Sequence, residues 1–466
     1  MKIPVVGFVP AAGSGYKVRA LAGTHSDNLF PVPKLRLTTA GVPLAYSILR
    51  NFSKAGITRI DITHAEQPRV DSLVDYVKNH DRFRSLDVRF ILERTPRGTA
   101  GSLADTLLRW GEFREDHVNV VVYFGDILSD LPLKNLLEAH NQTNALATIV
   151  VNPVPYRHIH RFGMVTIEGV PGQKTNETPG HYETRFEAYA DREEGTSRRI
   201  LQFEPKDQQE RPHAGRIPSL FTDSSICVFH SSLLTDWLRD VCADKSTDST
   251  LLMKKNIETD LFPYIFSRPA FADRFYAYVL PQKTYWRDLG TYSDIWLATM
   301  DAIDGTIRVP FTAQNQGHHK WIHPEARIDP SAVIRPPVVI DKGTVVGRDA
   351  RIGPYVHLGE GWKVEPGAEI IGAYLSPARF YFQGDTLRTV GESARIIFSI
   401  VAGGAVPADS DVVGRVGYLR SSGRKSEFDC STSLGADIAL AMERISTKMP
   451  GTGRPIFSVE WPKEHL

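Results

Sequence analysis

The chain has 466 residues, too many for one hydrophobic core, so two or three domains are expected. Its 42% hydrophobic and 23% charged residues are globular values, and a net charge of +1 gives no broad basic footprint for nucleic acid or a membrane surface. The widely separated Cys227, Cys242 and Cys430 make neither a metal-ligand spacing nor a disulfide framework, and no apolar run has signal-peptide or membrane-spanning character, so a cytoplasmic protein is expected.

Val5 to Val9 is a short apolar run that suits a strand buried on both faces of a parallel sheet. It enters a turn of very small residues, Ala11-Ala12-Gly13-Ser14-Gly15, with Lys17 and Arg19 close behind. Small side chains let consecutive backbone N–H groups approach an anion, so the stretch reads as a phosphate-holding loop beyond the carboxyl end of a first strand. An ordinary strand-to-helix turn is the plain alternative. A dinucleotide fingerprint would need Gly where Val18 stands, and the Gly-Lys-Ser/Thr of a Walker loop is absent.

Residues 20–41 are polar and irregular. Residues 42–55 carry Leu44, Ile48, Leu49 and Phe52 at helical spacing, and Gly56 ends the run. A strand over 57–63, a helix over 70–78 and a strand over 88–92 continue an alternation that predicts a mostly parallel, doubly wound α/β sheet. Residues 93–106 form a small-residue turn entering a helix. Residues 119–124 are the most apolar strand, stopped by Gly125-Asp126. A carboxylate there suits a hard cation as well as it suits a hydrogen-bonded turn. Residues 161–202 read as strand pieces broken by a polar loop. A strand then runs out to Lys206, another covers 224–229 and a helix covers 231–242. Residues 256–266 are amphipathic. Asp288 precedes Gly290 in a second acidic turn, and a helix over 292–304 closes the domain.

The period then changes. Ile322, Ile328, Ile334, Ile340, Val346, Ile352, Leu358, Val364 and Ile370 recur at every sixth residue, with mostly small residues four positions after each. A strict six-residue aliphatic repeat predicts a parallel β-helix. It lapses over 374–395 and partly returns over 396–413. The tail from 416 reads as a charged loop, a helix near 434–446 and a Pro/Gly-rich end. The expected domains are 1–310, 320–415 and 416–466. His357 reads as a structural side chain on the coil surface, with acyl transfer as the lesser alternative.

Taken in order, these fragments resemble the sugar-1-phosphate nucleotidyltransferases, many of which join a Rossmann-like catalytic domain to a left-handed β-helix. Ala11–Gly15 is similar to the family's opening loop, Pro96-Arg97-Gly98-Thr99-Ala100 to its base-contacting segment, and Gly125-Asp126 to its first metal-binding turn. Arg161-Phe162-Gly163 resembles the Arg-Tyr-Gly element, Pro205-Lys206 the sugar-phosphate lysine, and Trp286-Arg287-Asp288-Leu289-Gly290-Thr291 the second metal-binding turn.

The resemblance implies attack of a sugar-1-phosphate oxygen on the α-phosphorus of a nucleoside triphosphate, with pyrophosphate leaving. It implies Mg²⁺ held by Asp126 and Asp288. The triphosphate would lie on the backbone of the opening loop with Lys17, Arg19 and Lys34, the sugar phosphate on Lys206, and the base against Gly98 and Thr99. Two registers are open for the loop's later lysine position, one placing Asp27 there and the other Lys34. Asp223 stands about where the family has a sugar-site Asn. The alternative function is a catalytically weak nucleotide- or nucleotide-sugar-binding regulator or scaffold. A homo-oligomer through the β-helix is expected, because open coil ends need covering.

Overall fold

The computed structural model describes residues 3–13, 34–66, 70–95, 97–109, 118–154, 156–170, 179–190, 195–206, 220–243, 255–376, 388–402, 404–422 and 425–433. Ser14, Gly15, Lys17, Arg19, Asp27 and the helix expected near 434–446 lie outside the described residues. The chain divides into two compact units. Of the described residues, the first holds those up to Gly13, Ala45–Glu66 and Val70–Trp286; the second holds Lys34–Leu44 and those from Arg287 onward.

The first unit is built on a nine-stranded sheet of β1 (Val5–Pro10), β2 (Arg59–Ala65), β3 (Asp87–Glu93), β4 (Asn119–Tyr123), β5 (Ala147–Pro153), β6 (Met164–Ile167), β7 (Ser197–Glu204), β8 (Phe221–His230) and β9 (Phe275–Val279). Their order is β3-β2-β1-β4-β8-β5-β9-β7-β6. β3, β2, β1 and β4 pair in parallel, as the alternation predicts, and β5 pairs in parallel with β9. β8 and β7 run against the rest.

Helices cover both faces. α1 (Leu44–Lys54) buries the expected Leu44, Ile48, Leu49 and Phe52. A Cβ on Gly7 of β1 would stand 2.8 Å from the Phe52 ring, so the glycine lets α1 lie close to its strand. On the other face, α3 (Gly98–Arg109) packs Ala100, Leu103, Ala104 and Leu107 against Val6, Phe8, Val120 and Val122. α2 (Val70–Asn79) and α4 (Leu133–Gln142) complete the crossovers between β2 and β3 and between β4 and β5.

One expected loop proves partly helical. α5 (Pro179–Ala190) opens on a proline, which suits the first helical position, and buries Tyr182, whose hydroxyl donates to Val154 O at 2.9 Å. α6 (Ser231–Ala243) follows β8. The amphipathic stretch after residue 256 is a π-helical turn, Ile257–Leu261, running into a short helix, Phe262–Phe266.

In the second unit the six-residue pattern becomes three sheets of short parallel strands, each strand pairing with the one three strands later. Ile322 stands beside Ile340 and then Leu358; Ile328 beside Val346 and Val364; Ile334 beside Ile352, Ile370 and Ile396. From Ile340 to Ile370 these aliphatic side chains are buried in one column with Trp362, as stacked β-helix coils require. At Leu375 and Val401 the repeat shortens by one residue, just after Gly372 and Phe398 adopt left-handed φ of 57° and 47°. Instead of a charged loop, residues Arg415–Ser422 and Lys425–Ser433 form an antiparallel hairpin, which extends one sheet through Ile400 beside Val416.

The helix expected over 292–304 is α7 (Tyr292–Ile303), which belongs to this second unit. Thr291 caps it by accepting from Asp294 N at 3.2 Å. No helix among the described residues is long and apolar enough to cross a membrane.

Candidate functional site

The strand order reverses between β1 and β4, and open α/β sheets place ligands in the crevice beyond the carboxyl ends of strands at such a point. Ala11 leaves β1 there, its N–H donating to Thr63 O of β2 at 3.2 Å. Gly125 leaves β4 beside it, donating to Pro10 O at 3.3 Å. A Cβ on Gly125 would stand 2.9 Å from the Ala11 Cβ, so only glycine lets the two turns meet at this spacing. Ala12 continues the β1 turn, and a Cβ on Gly13 would meet nothing within 4 Å. Asp126 follows, half-buried, directly after the Gly125 turn.

The next strand, β8, is bulged where it passes the end of β4, its register against β5 shifting between Asp223 and Cys227. Ser225 takes φ 58°, its N–H donates to Asp223 Oδ1 at 2.8 Å, and its carbonyl accepts from Phe124 N at 3.1 Å. The Trp286 indole N–H donates to Ser224 O at 2.9 Å, and Asp223 N donates to Gly163 O at 2.9 Å. The bulge thus holds the buried Asp223 carboxylate on the backbone of its own turn.

Gly98, at φ 74°, opens α3 against residues 255–257; a Cβ there would lie 2.4 Å from Lys255 O. Lys255 O accepts from the N–H groups of Ala100 and Gly101 at 2.9 and 3.0 Å, and Asn256 Oδ1 accepts from Thr99 N at 3.2 Å. The Thr99 hydroxyl accepts from Ile257 N at 3.0 Å. The helix N-terminus therefore holds in place the π-helical turn that carries Glu258.

Charge ties these pieces together. Burial lifts the Glu258 carboxyl above the usual range, Lys206 pulls it down, and Asp126 pushes it up. Burial first, and then Glu258, push Asp223 up to about 8. The Cys227 thiol, buried on β8, is raised by burial, Asp223 and Glu258. Glu258 thus interacts with Asp126, Lys206 and Asp223 within the first unit.

Of the residues singled out from sequence, the fold brings Ala11, Gly125 and Asp126 together, and joins Lys206 to them through Glu258. Gly98 and Thr99 meet the segment bearing Glu258. Lys34 and Asp288 belong to the second unit. Lys34 opens a one-turn 3-10 helix, Lys34–Arg36. Asp288 ends the strand Trp286–Asp288, where Arg287 pairs with Asp301 at 2.8 Å, and a Cβ on Gly290 would stand 3.2 Å from Asp288 Oδ1. Sequence reasoning missed Glu258 and Asn256. Within an amphipathic stretch Glu258 resembles a solvated charge, and only the π-helical turn, which no local pattern announces, points it inward.

Among the described residues no group of three or more His, Cys, Asp or Glu side chains is placed to hold a metal. The Asp126 carboxylate still fits a divalent cation such as Mg²⁺, which takes one or two protein carboxylates and completes its shell with water and phosphate oxygen. Its unfavourable action on Glu258 is what a cation at this position would relieve.

The nucleotidyl transferase family profile matches residues 7–305. The mannose-1-phosphate guanylyltransferase of Mycobacterium tuberculosis is 25% identical over 368 residues, covering 78% of this chain and 82% of the relative. The glucose-1-phosphate adenylyltransferase of Thermus thermophilus is 23% identical over 326 residues, covering 65% and 68%. A crystal structure of a putative glucose-1-phosphate thymidylyltransferase from Bacillus anthracis aligns with a TM-score of 0.45 at 16% identity, over 66% of this chain and 98% of that one. With nearly two thirds of its length matched by the profile, the chain belongs to the nucleotidyl transferase family.

Proposed function

We propose that this protein joins a nucleoside triphosphate to a sugar-1-phosphate, giving a nucleotide-sugar and releasing pyrophosphate. The observation that carries this reading is the packing of the Gly125-Asp126 turn on Ala11 at the β1/β4 crevice, with Lys206 and Glu258 acting on the same space. Phosphoryl chemistry of this kind asks a protein for positioning and charge neutralisation more than for covalent help.

In this reading the backbone N–H groups of Ala11, Ala12, Gly13, Ser14 and Gly15 hold the triphosphate, with Lys17, Arg19 and Lys34 as cations. Gly98 and Thr99 lie against the base. Lys206 neutralises the sugar phosphate, and the bulged strand with Asp223 faces the sugar. Asp126 and Asp288 are the proposed Mg²⁺ ligands. A bound divalent ion would offset charge that develops on the phosphate oxygens. The activities named for the relatives make mannose-1-phosphate with GTP and glucose-1-phosphate with ATP the first pairs to try.

A second reading, binding without turnover, is favoured by the loop itself. Gly15-Tyr16-Lys17 lacks an arginine fork, and one register places Asp27 where a cation would meet triphosphate. Pyrophosphate release from ATP, GTP, UTP and dTTP with a panel of sugar-1-phosphates separates the two. Turnover with one pair supports the enzyme. Nucleotide binding with no turnover by any pair supports the regulator.

A further inference from the structure

The three sheets of the β-helix present different outer faces. On one, the outward Val339, His357, Tyr374 and Ile400 are completely buried. Within the second unit this face is covered by α7 and by a small hairpin, Thr38–Thr39 paired with Val42–Pro43, and the Tyr374 hydroxyl is hydrogen-bonded to the Thr38 hydroxyl. His357 is therefore not the surface side chain expected from the sequence, and this face is closed to a partner. The other two faces meet solvent, with Val333 and Val345 exposed. On the sheet that begins at Arg327–Ile328, the outward row is Arg327, Val345, Lys363, Thr389 and Ala405, whose charges are both positive.

The remaining sheet carries an ordered charge pattern. Its register places Val333, Arg351, Glu369, Arg395 and Asp411 in one outward row, one residue per coil. After Val333 the signs run plus, minus, plus, minus. Arg395 bridges the two carboxylates, with Nε 3.3 Å from Glu369 Oε2 and Nη1 3.5 Å from Asp411 Oδ1. The two ends of the charged row, Arg351 and Asp411, are exposed. Ile371 and Val413 also point outward on this sheet, beside the charges, and are half-buried.

Such a row is its own complement when inverted. A second copy, turned end over end about a two-fold axis along the strand direction, meets the row in reverse order. Arg351 then faces the partner's Asp411, and Glu369 faces the partner's Arg395. Symmetry makes each pair occur twice. A copy whose coils run the same way would set each charge against its own like, which is unfavourable. The Arg327 and Lys363 row has no such solution, because inverting it also brings cation to cation. We propose that the sheet bearing Arg351, Glu369, Arg395 and Asp411 is the surface through which two copies of this chain associate, with their β-helices antiparallel. The charges set the orientation and the flanking apolar side chains add area; exposed ion pairs contribute little affinity on their own, so the contact is salt-sensitive. The inference does not depend on the enzyme reading.

The test is sedimentation velocity on the full chain and on two charge reversals, Arg351→Asp and Asp411→Arg. Either reversal alone sets like charges together at both ends of the contact, so each variant is expected to self-associate roughly tenfold or more weakly than wild type. Mixed in equal amounts, the two variants have opposite charges at both ends and are expected to recover an association within about threefold of wild type. The doubly reversed chain, Arg351→Asp with Asp411→Arg, should recover it too. Arg351 and Asp411 stand three coils apart, about 14 Å within one chain, so contact inside a chain cannot produce this rescue. Melting temperatures near that of wild type show that the reversals leave the fold intact, and the doubly reversed chain still decides the matter if one single variant melts early. A wild-type chain that stays monomeric at micromolar concentration overturns the inference. So does association that both reversals leave unchanged, which would put the contact elsewhere, such as at the coil ends, or weakening that neither the mixture nor the doubly reversed chain repairs.

Discussion

In the proposed reaction Asp126 is a Mg²⁺ ligand, which makes it the residue to test first. Asp126→Asn keeps the shape of the side chain but removes its charge, so it is expected to lower turnover by roughly 10²-fold or more while leaving the melting temperature near that of wild type. Asp223 gives a prediction about stability. Its native pKa, about 8, lies above its unfolded value, so its contribution to stability is full below the unfolded value and is lost as pH rises toward and through 8. Replacing it by Asn should therefore raise the urea midpoint increasingly between about pH 4 and pH 8; an advantage that shrinks with pH would contradict this. His140 runs the other way. Buried in α4, with Nδ1 2.7 Å from Thr148 Oγ1, it is held neutral with its pKa lowered to about 4, chiefly by burial. Its unfolded form takes up protons first, so it should cost the fold about 3 kcal/mol as pH falls from about 7 to 4, a loss that His140→Gln removes.

At the scale of elements, what could be read in advance depended on how local the cause was. Each inward residue of the β-helix recurs at a fixed chain interval, because each short strand presents one side chain to the column; six-residue spacing was enough to place Ile340 through Ile370. The βα units up to α3 were equally legible from apolar runs and small-residue turns. The bulge of β8 was not, because it is set by Gly163, Phe124 and Trp286, which are remote in sequence. Nor was α5, where burial of Tyr182 outweighs a polar composition. The cap between α3 and residues 255–257 joins elements about 157 residues apart and also escaped a local reading. Gly98→Ala tests that cap. A Cβ on a left-handed backbone, 2.4 Å from Lys255 O, should lower stability by about 1–3 kcal/mol in urea titrations and displace Glu258.

At the scale of the whole molecule, the second unit is held by a continuous aliphatic column, and Trp362 lies in it with its indole N–H donating to Ser376 O at 3.0 Å. Trp362→Ala is expected to cost about 3–5 kcal/mol and lower the unfolding midpoint of that unit. Sequence reasoning drew the catalytic boundary near residue 310, whereas contacts group α7 and Lys34–Leu44 with the β-helix strands. That grouping depends on long-range packing, such as the Trp296 indole donating to Gly372 O at 2.7 Å, which no composition shift marks. Self-association through residues 320–415 remains a proposal, and light scattering at micromolar concentration checks it: a dimer or larger assembly is expected, and a monomer counts against it. The most direct test of the account is pyrophosphate release by the wild-type chain and by Asp126→Asn, with Mg²⁺, across the triphosphate and sugar-1-phosphate panel. The account predicts turnover of at least one pair by wild type and its near-complete loss in the variant; turnover that survives loss of the Asp126 charge would contradict it.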